Sequence, residues 1–200
     1  MRRGRAFVIS SPSGGGKTTV VERLRRRLPS VVRSVSVTTR PPRPRERQGR
    51  DYRFVSVREF QRMRRAGRLL EWANVHGASY GTLRRPVMQA LAQGRDVLLS
   101  IDVQGARQVR HVLGRRAVLV FLMPPSLKAL RQRLLRRRTE NRAAMRQRLA
   151  AAEQEMACAG WYDYAVTNDR LERAVREIEA LVRDRSRTRG GTSRYGPGHH

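Results

Sequence analysis

The sequence predicts an α/β fold with a parallel sheet flanked by helices, and three observations carry that expectation. Residues 6–9, 97–101 and 117–123 are continuous apolar runs of strand length, as expected for parallel strands buried on both faces. Segments with helical spacing are interleaved with them, over 126–136, 142–159 and 171–185 and at Val20, Val21, Leu24 and Leu28. A chain of 200 residues is long enough to bury a core without staples, and its single cysteine, Cys158, cannot form an internal disulfide.

Taken in order, the first strand runs straight into Ser10-Ser11-Pro12-Ser13-Gly14-Gly15-Gly16-Lys17-Thr18-Thr19. Strand, glycine-rich turn and helix, with Lys-Thr opening the helix, make a phosphate-binding loop. The glycines let the backbone curl with its N–H groups inward, and the helix N-terminus adds partial positive charge. Lys17 suits the β- and γ-phosphates of a nucleotide, and the Thr18 hydroxyl suits Mg²⁺. The strict pattern wants glycine six residues before the lysine, where this chain has Ser11.

Residues 34–84 break the strand–helix rhythm. They hold a β-rich start at 35–39, a Pro/Arg loop over 41–50, the aromatic pair Tyr52 and Phe54, a short helix around 57–66, and a turn at Tyr80-Gly81-Thr82. This reads as an inserted substrate lobe. Asp102 closes the apolar run 97–101, at the carboxyl edge where ligands collect in open α/β sheets. Side chains two apart on a strand share a face, so Ser100 points with Asp102. The last helical stretch carries Leu171, Ala174, Val175, Ile178, Leu181 and Val182 on one face. From 186 to 200 the chain is rich in Gly, Ser and Arg and, Tyr195 and Pro197 apart, lacks apolar residues to pack, the composition of a disordered basic tail.

Net charge is +28, from 44 basic and 16 acidic residues, and only Lys17 and Lys128 are lysines. Either the arginines are solvated face charges, or the field gives weak, salt-sensitive association with nucleic acid; no aromatic-rich stripe accompanies them. The longest apolar run is too short to cross a bilayer. A strand by Ala6 leaves no room for a signal peptide, so a cytoplasmic location is expected.

Eight further segments occur in register with the loop: Ser34-Val-Ser-Val-Thr-Thr-Arg40-Pro-Pro-Arg43-Pro, Gly49-Arg-Asp51-Tyr52-Arg-Phe54-Val-Ser, Leu70-Glu71-Trp72-Ala73, Ser79-Tyr80-Gly81-Thr82, Ile101-Asp102-Val103-Gln104-Gly105-Ala106, Pro124-Pro125-Ser126-Leu127, Arg148-Leu149-Ala150-Ala151 and Asn168-Asp169. Together they closely resemble guanylate kinase, from about residue 5 to residue 185. The resemblance implies a P-loop nucleoside-monophosphate kinase fold, with a core of 1–33, 84–136 and 150–185, a GMP lobe of 34–83 and a lid of 137–149. It implies transfer of the γ-phosphoryl group of Mg·ATP to GMP, and to dGMP with it, giving ADP and GDP.

Residue by residue, the resemblance places Ser11, Pro12, Ser13, Gly14, Gly15, Gly16, Lys17, Thr18, Thr19 and Asn168 at ATP. It places Ser36, Arg40, Arg43, Tyr52, Glu71, Tyr80, Thr82, Ser100 and Asp102 at GMP, and Lys17, Arg137 and Arg148 at the transferring phosphoryl group. Mg²⁺ is expected on Thr18, with Asp102 as a further ligand through water. The chemistry agrees with these assignments. A phosphate dianion suits the planar forks of Arg40 and Arg43 with the phenols of Tyr52 and Tyr80. The N1–H and 2-amino donors of guanine suit the carboxylate of Glu71. For Glu71 a surface pairing with Arg68 stays open, and for Asn168 a turn or helix N-cap. Arg131, Arg133, Arg142 and Arg146 read as solvated charges.

The chain departs from the family at two places. Ser100 stands where Asp is common, and Arg136-Arg137-Arg138-Thr139 replaces Gly-Arg-Gly-Thr, removing the lid's flanking glycines. A phosphopeptide-binding module on the same scaffold and a P-loop kinase of another small phosphorylated acceptor are the alternatives. The intact Gly16-Lys17-Thr18 argues against the first, and Glu71 with Ser36 and Tyr80 against the second.

Overall fold

The computed structural model describes residues 3–75, 77–135 and 142–184. The expected Arg137, residues 137–141 of the expected 137–149 lid and the whole expected tail of 186–200 lie outside the described residues. The chain divides into two compact units, Met1–Phe7 with Ser30–Ala117 and Val8–Pro29 with Val118–His200, and the boundary falls within the first strand.

In the first unit the chain passes from β1 (Ala6–Ser10), whose first two residues belong here, through β2 (Val32–Arg33) to β3 (Ser36–Thr38) and β4 (Arg53–Phe54). Helix α2 (Val57–Arg65) follows, then β5 (Leu69–Val75), β6 (Ala78–Leu83), α3 (Arg84–Ala92), β7 (Val97–Ser100) and α4 (Val103–Leu113). The strand order here is β2-β7-β1, with β2 parallel to β7. A second sheet runs β4-β3-β6-β5. The Tyr80-Gly81-Thr82 turn expected from sequence is instead the middle of β6, antiparallel to both β3 and β5. The turn chemistry lies just before it, at Gly77 with φ 80°. Ser56 caps α2 by accepting from the Glu59 N–H at 3.1 Å, and the helix buries Phe60 and Met63 with Val37 and Leu69 beneath the second sheet.

In the second unit β1 leads through the glycine loop into α1 (Lys17–Arg27). Beyond it lie β8 (Ala117–Met123), almost all of which belongs here, α5 (Leu127–Leu135), α6 (Arg142–Ala157), β9 (Tyr164–Thr167) and α7 (Leu171–Arg183). The strand order is β1-β8-β9, with β8 parallel to β9. Helix α7 buries Ala174, Val175, Ile178 and Val182, the face its spacing implies, and Arg27 of α1 pairs with its Glu172 and Glu179. No helix among the described residues is long and apolar enough to cross a membrane.

Candidate functional site

The phosphate loop is built by backbone geometry. Gly14 and Gly16 adopt φ 85° and 92°, a region that side chains disfavour, and the Gly15 N–H closes a turn onto the Pro12 carbonyl at 2.9 Å. Gly16 is the N-cap of α1, no side chain caps that helix, and its first turn holds no acid. Lys17 is its first residue, and Thr18 and Thr19 are exposed beside it. A helix N-terminus left without a side-chain cap keeps its N–H donors for an anion. Ser11 is buried, its hydroxyl donating to the Pro12 carbonyl at 3.2 Å, so the residue in the place of the expected glycine is absorbed into the turn.

Asn168 lies against this loop. It is 6 % exposed, and its Nδ2 donates to the Gly15 carbonyl at 2.8 Å. The N-cap of α7 is Arg170, so the capping alternative for Asn168 is excluded. Arg133 donates to the Asn168 carbonyl at 2.9 Å, which corrects its reading as a solvated charge. Arg148 is half-buried on α6.

The remaining candidates share the first unit. Register places Ser36 of β3 opposite Thr82 of β6, and Thr82 opposite Glu71 of β5. Directly opposed residues point to one face, so the three form a row across three strands. Thr38 and Tyr80 form the next row on that face, while Val37, Gly81 and Leu83 take the other face, toward Phe60. An irregularity between Leu69 and Glu71 makes this possible: Leu69 pairs with Leu83 on the core face, and one extra residue, Leu70, turns Glu71 over to Thr82.

Glu71 is 3 % exposed and accepts from the Thr82 hydroxyl at 2.6 Å, so it is not the surface carboxylate of the Arg68 alternative. Helix α4 packs over it at Gly105, where an added Cβ would lie 3.0 Å from Glu71 Cδ and inside contact distance of Oε2. Gln108 fixes the next residue, accepting from the Trp72 N–H at 3.1 Å and donating to its carbonyl at 2.7 Å. Asp102 caps α4, accepting from the Gly105 N–H at 2.8 Å, and its other oxygen accepts from Gln104 at 3.4 Å. Ser100 ends β7, half-buried.

Arg40, Tyr52 and Tyr80 are brought together. Arg40 Nε donates to the Tyr80 hydroxyl at 3.2 Å, the Arg40 guanidinium lies 5.3 Å from the Tyr52 ring centre, and the two tyrosine rings meet edge-on at 6.1 Å. Burial raises the Tyr52 phenol pKa, so it stays a proton donor near neutrality. Arg43 has an exposed side chain and contributes its backbone N–H to Glu46 at 2.7 Å. Glu46 was not singled out from sequence, yet it grips both Arg40 terminal nitrogens at 2.9 Å. The hydrogen bonds from Arg40 hold its carboxyl below the ordinary carboxylate range and raise the Arg40 pKa. A lone acid among Arg40, Arg43, Arg45 and Arg47 was the available signal.

Among the described residues no group of three or more His, Cys, Asp or Glu is set to hold a metal. A nucleotide-borne Mg²⁺ needs only one or two protein oxygens beside phosphates and water. The exposed Thr18 hydroxyl at the start of α1 fits that need, whereas direct ligation by Asp102 would compete with its cap.

The strand–loop–helix site on a parallel α/β sheet makes this a P-loop nucleotide-binding protein. Comparison narrows the class: the family model described as guanylate kinase matches residues 3–185. The guanylate kinase of Thermosynechococcus vestitus is 48 % identical over 179 residues, 90 % of this chain and 93 % of that one. That of Rhizobium etli is 46 % identical over 182 residues, 91 % of this chain and 83 % of that one. The crystal structure of guanylate kinase from Anaplasma phagocytophilum superposes with a TM-score of 0.76 at 35 % identity, covering 92 % of this chain and 86 % of that one. The chain belongs to the guanylate kinase family, whose members are nucleoside-monophosphate kinases.

Proposed function

We propose that the chain transfers the γ-phosphoryl group of Mg·ATP to GMP, and to dGMP, giving ADP and GDP. The observation that carries this reading is the buried Glu71 in its row with Thr82 and Ser36. A carboxylate placed there accepts the N1–H and 2-amino hydrogens of guanine, and the Ser36 hydroxyl donates to O6. Adenine presents an unprotonated N1 and a donor in place of O6, so it supplies neither the hydrogens that Glu71 would accept nor the acceptor that Ser36 would meet. Residues 34–83 serve as the GMP lobe. Arg40, Tyr52 and Tyr80 hold the GMP phosphate by charge-assisted hydrogen bonds, and Arg43 adds its exposed guanidinium.

The loop N–H groups and Lys17 hold the ATP phosphates, and the Thr18 hydroxyl holds the nucleotide's Mg²⁺, which when bound neutralises charge on the β- and γ-phosphates. The GMP phosphate is a dianion at neutral pH, so its oxygen attacks without a protein base. Reaction requires that oxygen in line with the γ-phosphorus and the leaving ADP oxygen, with Arg148 and Arg137 as counter-charges to the equatorial oxygens. Asn168 secures the loop beneath the donor.

The test is a coupled assay of ADP release with Mg·ATP and each of GMP, dGMP, AMP, CMP and UMP. Turnover with GMP and dGMP and little with the rest is expected. Equal turnover with AMP would sink the assignment of Glu71, and folded protein inactive with every acceptor would sink the kinase reading.

A further inference from the structure

The phosphate loop has a partner that the proposed reaction does not use. Glu155 of α6 accepts a hydrogen bond from the Ser13 backbone N–H at 3.2 Å, 142 residues away in sequence. Ala152 is the one fully buried residue among the described side chains of helix α6. Ala152 and Leu149 pack on Leu130 and Leu134 of α5. The loop rests on the same two leucines: a Cβ at Gly14 would lie 2.8 Å from Leu134 Cδ2 and 3.2 Å from Leu130 Cδ1. Loop and helix thus share one apolar support, and Glu155–Ser13 is a direct polar tie between them. Arg148, Ala152 and Glu155 follow i, i+4, i+7 spacing and so share one face of α6.

We propose that Glu155 is a positioning residue for the donor nucleotide: it anchors the loop at Ser13 and holds α6, with Arg148, in register with the loop. The proposal rests on the kinase reading for the role of Arg148. A carboxylate beside an anion-binding loop opposes phosphate by charge alone, so the positioning role and simple repulsion predict opposite effects of removing it.

The experiment measures Mg·ADP affinity by calorimetry, with KM for ATP and for GMP, in the wild type, Glu155→Ala and Glu155→Gln. Loss of a hydrogen bond to a charged acceptor gives an expected weakening of Mg·ADP of about tenfold or more in Glu155→Ala. KM for ATP rises in step while KM for GMP stays within about twofold, and Glu155→Gln, whose amide oxygen accepts the same N–H, recovers most of the loss. Wild-type or tighter Mg·ADP binding by Glu155→Ala would overturn the proposal, as would parallel rises in both KM values or equal loss in both variants. Failure of the wild type to bind Mg·ADP would refute both this proposal and the kinase reading. Binding without GMP turnover would refute that reading alone, and the affinity measurements would still decide the Glu155–Ser13 anchor.

Discussion

Gly105→Ala tests the proposed acceptor site without replacing any residue that would bind GMP. The added methyl would sit 3.0 Å from Glu71 Cδ, where ordinary contact begins at 3.4 Å, and closer still to Oε2. The helix cannot retreat freely, because Gln108 ties it to the Trp72 backbone by two hydrogen bonds and Asp102 caps it. Glu71 must therefore move, in a space where it is 3 % exposed and bound to Thr82 at 2.6 Å. Misdirecting one charged hydrogen bond costs about 1.5–3 kcal/mol, or about 10- to 150-fold in KM for GMP. Alanine is the better helix former by about 0.8–1 kcal/mol, so helix propensity does not lower stability and a loss of GMP affinity is a site effect. Steady-state kinetics should show KM for GMP raised at least about tenfold, the GMP-over-AMP ratio eroded, and KM for ATP within about twofold. Wild-type GMP affinity and discrimination in Gly105→Ala would refute the argument that this glycine makes room for the base-reading carboxylate.

Other outcomes follow from the same geometry. Lys17→Ala should lower kcat by orders of magnitude with an unchanged thermal melt, since a charge matched to the developing transition state is lost; a change in KM for ATP alone would contradict this. Glu71→Gln should erode guanine preference more than it damages ATP binding, and full GMP-over-AMP discrimination in the variant would remove Glu71 as the base reader. Asn168→Ala removes the donor to the Gly15 carbonyl, a bond worth about 0.5–1.5 kcal/mol, so KM for ATP should rise about 2- to 12-fold with GMP kinetics preserved. Glu46, held below its ordinary value of 4.5 by Arg40, contributes stability that is fully present above that value and lost as pH falls through the depressed one. Urea melts from pH 3 to 7 should therefore show the deficit of Glu46→Gln constant near neutrality and shrinking in acid, and a pH-independent deficit would show the charge to be irrelevant.

Much of the core and donor side was legible because local patterns carry it. Continuous apolar runs mark β7 and β8, the glycine loop sits where strand meets helix, and α7 shows its buried face in its spacing. Sequence reasoning lost the trail where long-range pairing decides. Nothing local in Tyr80-Gly81-Thr82 distinguishes a turn from a strand; pairing with β3 and β5 settles it. The helical spacing read from the sequence does not extend to α3 and α4, although Asp102-Val-Gln-Gly105 opens α4 with a capping acid. Glu46, Gln108 and Glu155 meet Arg40, Trp72 and Ser13 through pairings that only the fold reveals. Arg133 is an ordinary arginine until its contact with Asn168 is seen.

The acceptor site depends on sheet register more than on any one side chain. Side chains alternate along β6, so a one-residue slip would turn Thr82 and Tyr80 toward Phe60 and bring Gly81 and Leu83 to the binding face. Two features oppose that slip. A Cβ at Gly81 would lie 3.0 Å from the Glu71 carbonyl oxygen and 3.1 Å from Leu69 Cδ1, so tyrosine or threonine fits there only if these neighbours give by a few tenths of an ångström. Leu70 supplies the extra residue that lets Leu69 stay in the core while Glu71 faces Thr82. In a regular strand without that bulge, alternation would send Leu69 and Glu71 to the same face, forcing either a leucine into the row with Thr82 and Ser36 or a carboxylate into the cluster around Phe60. The carboxylate would then lose Thr82 and be buried without a designed partner, a state that costs more than the hydrogen bond it gave up. The energetics that exclude the wrong register and the chemistry proposed to read guanine therefore fall on the same residues, Glu71 and Thr82.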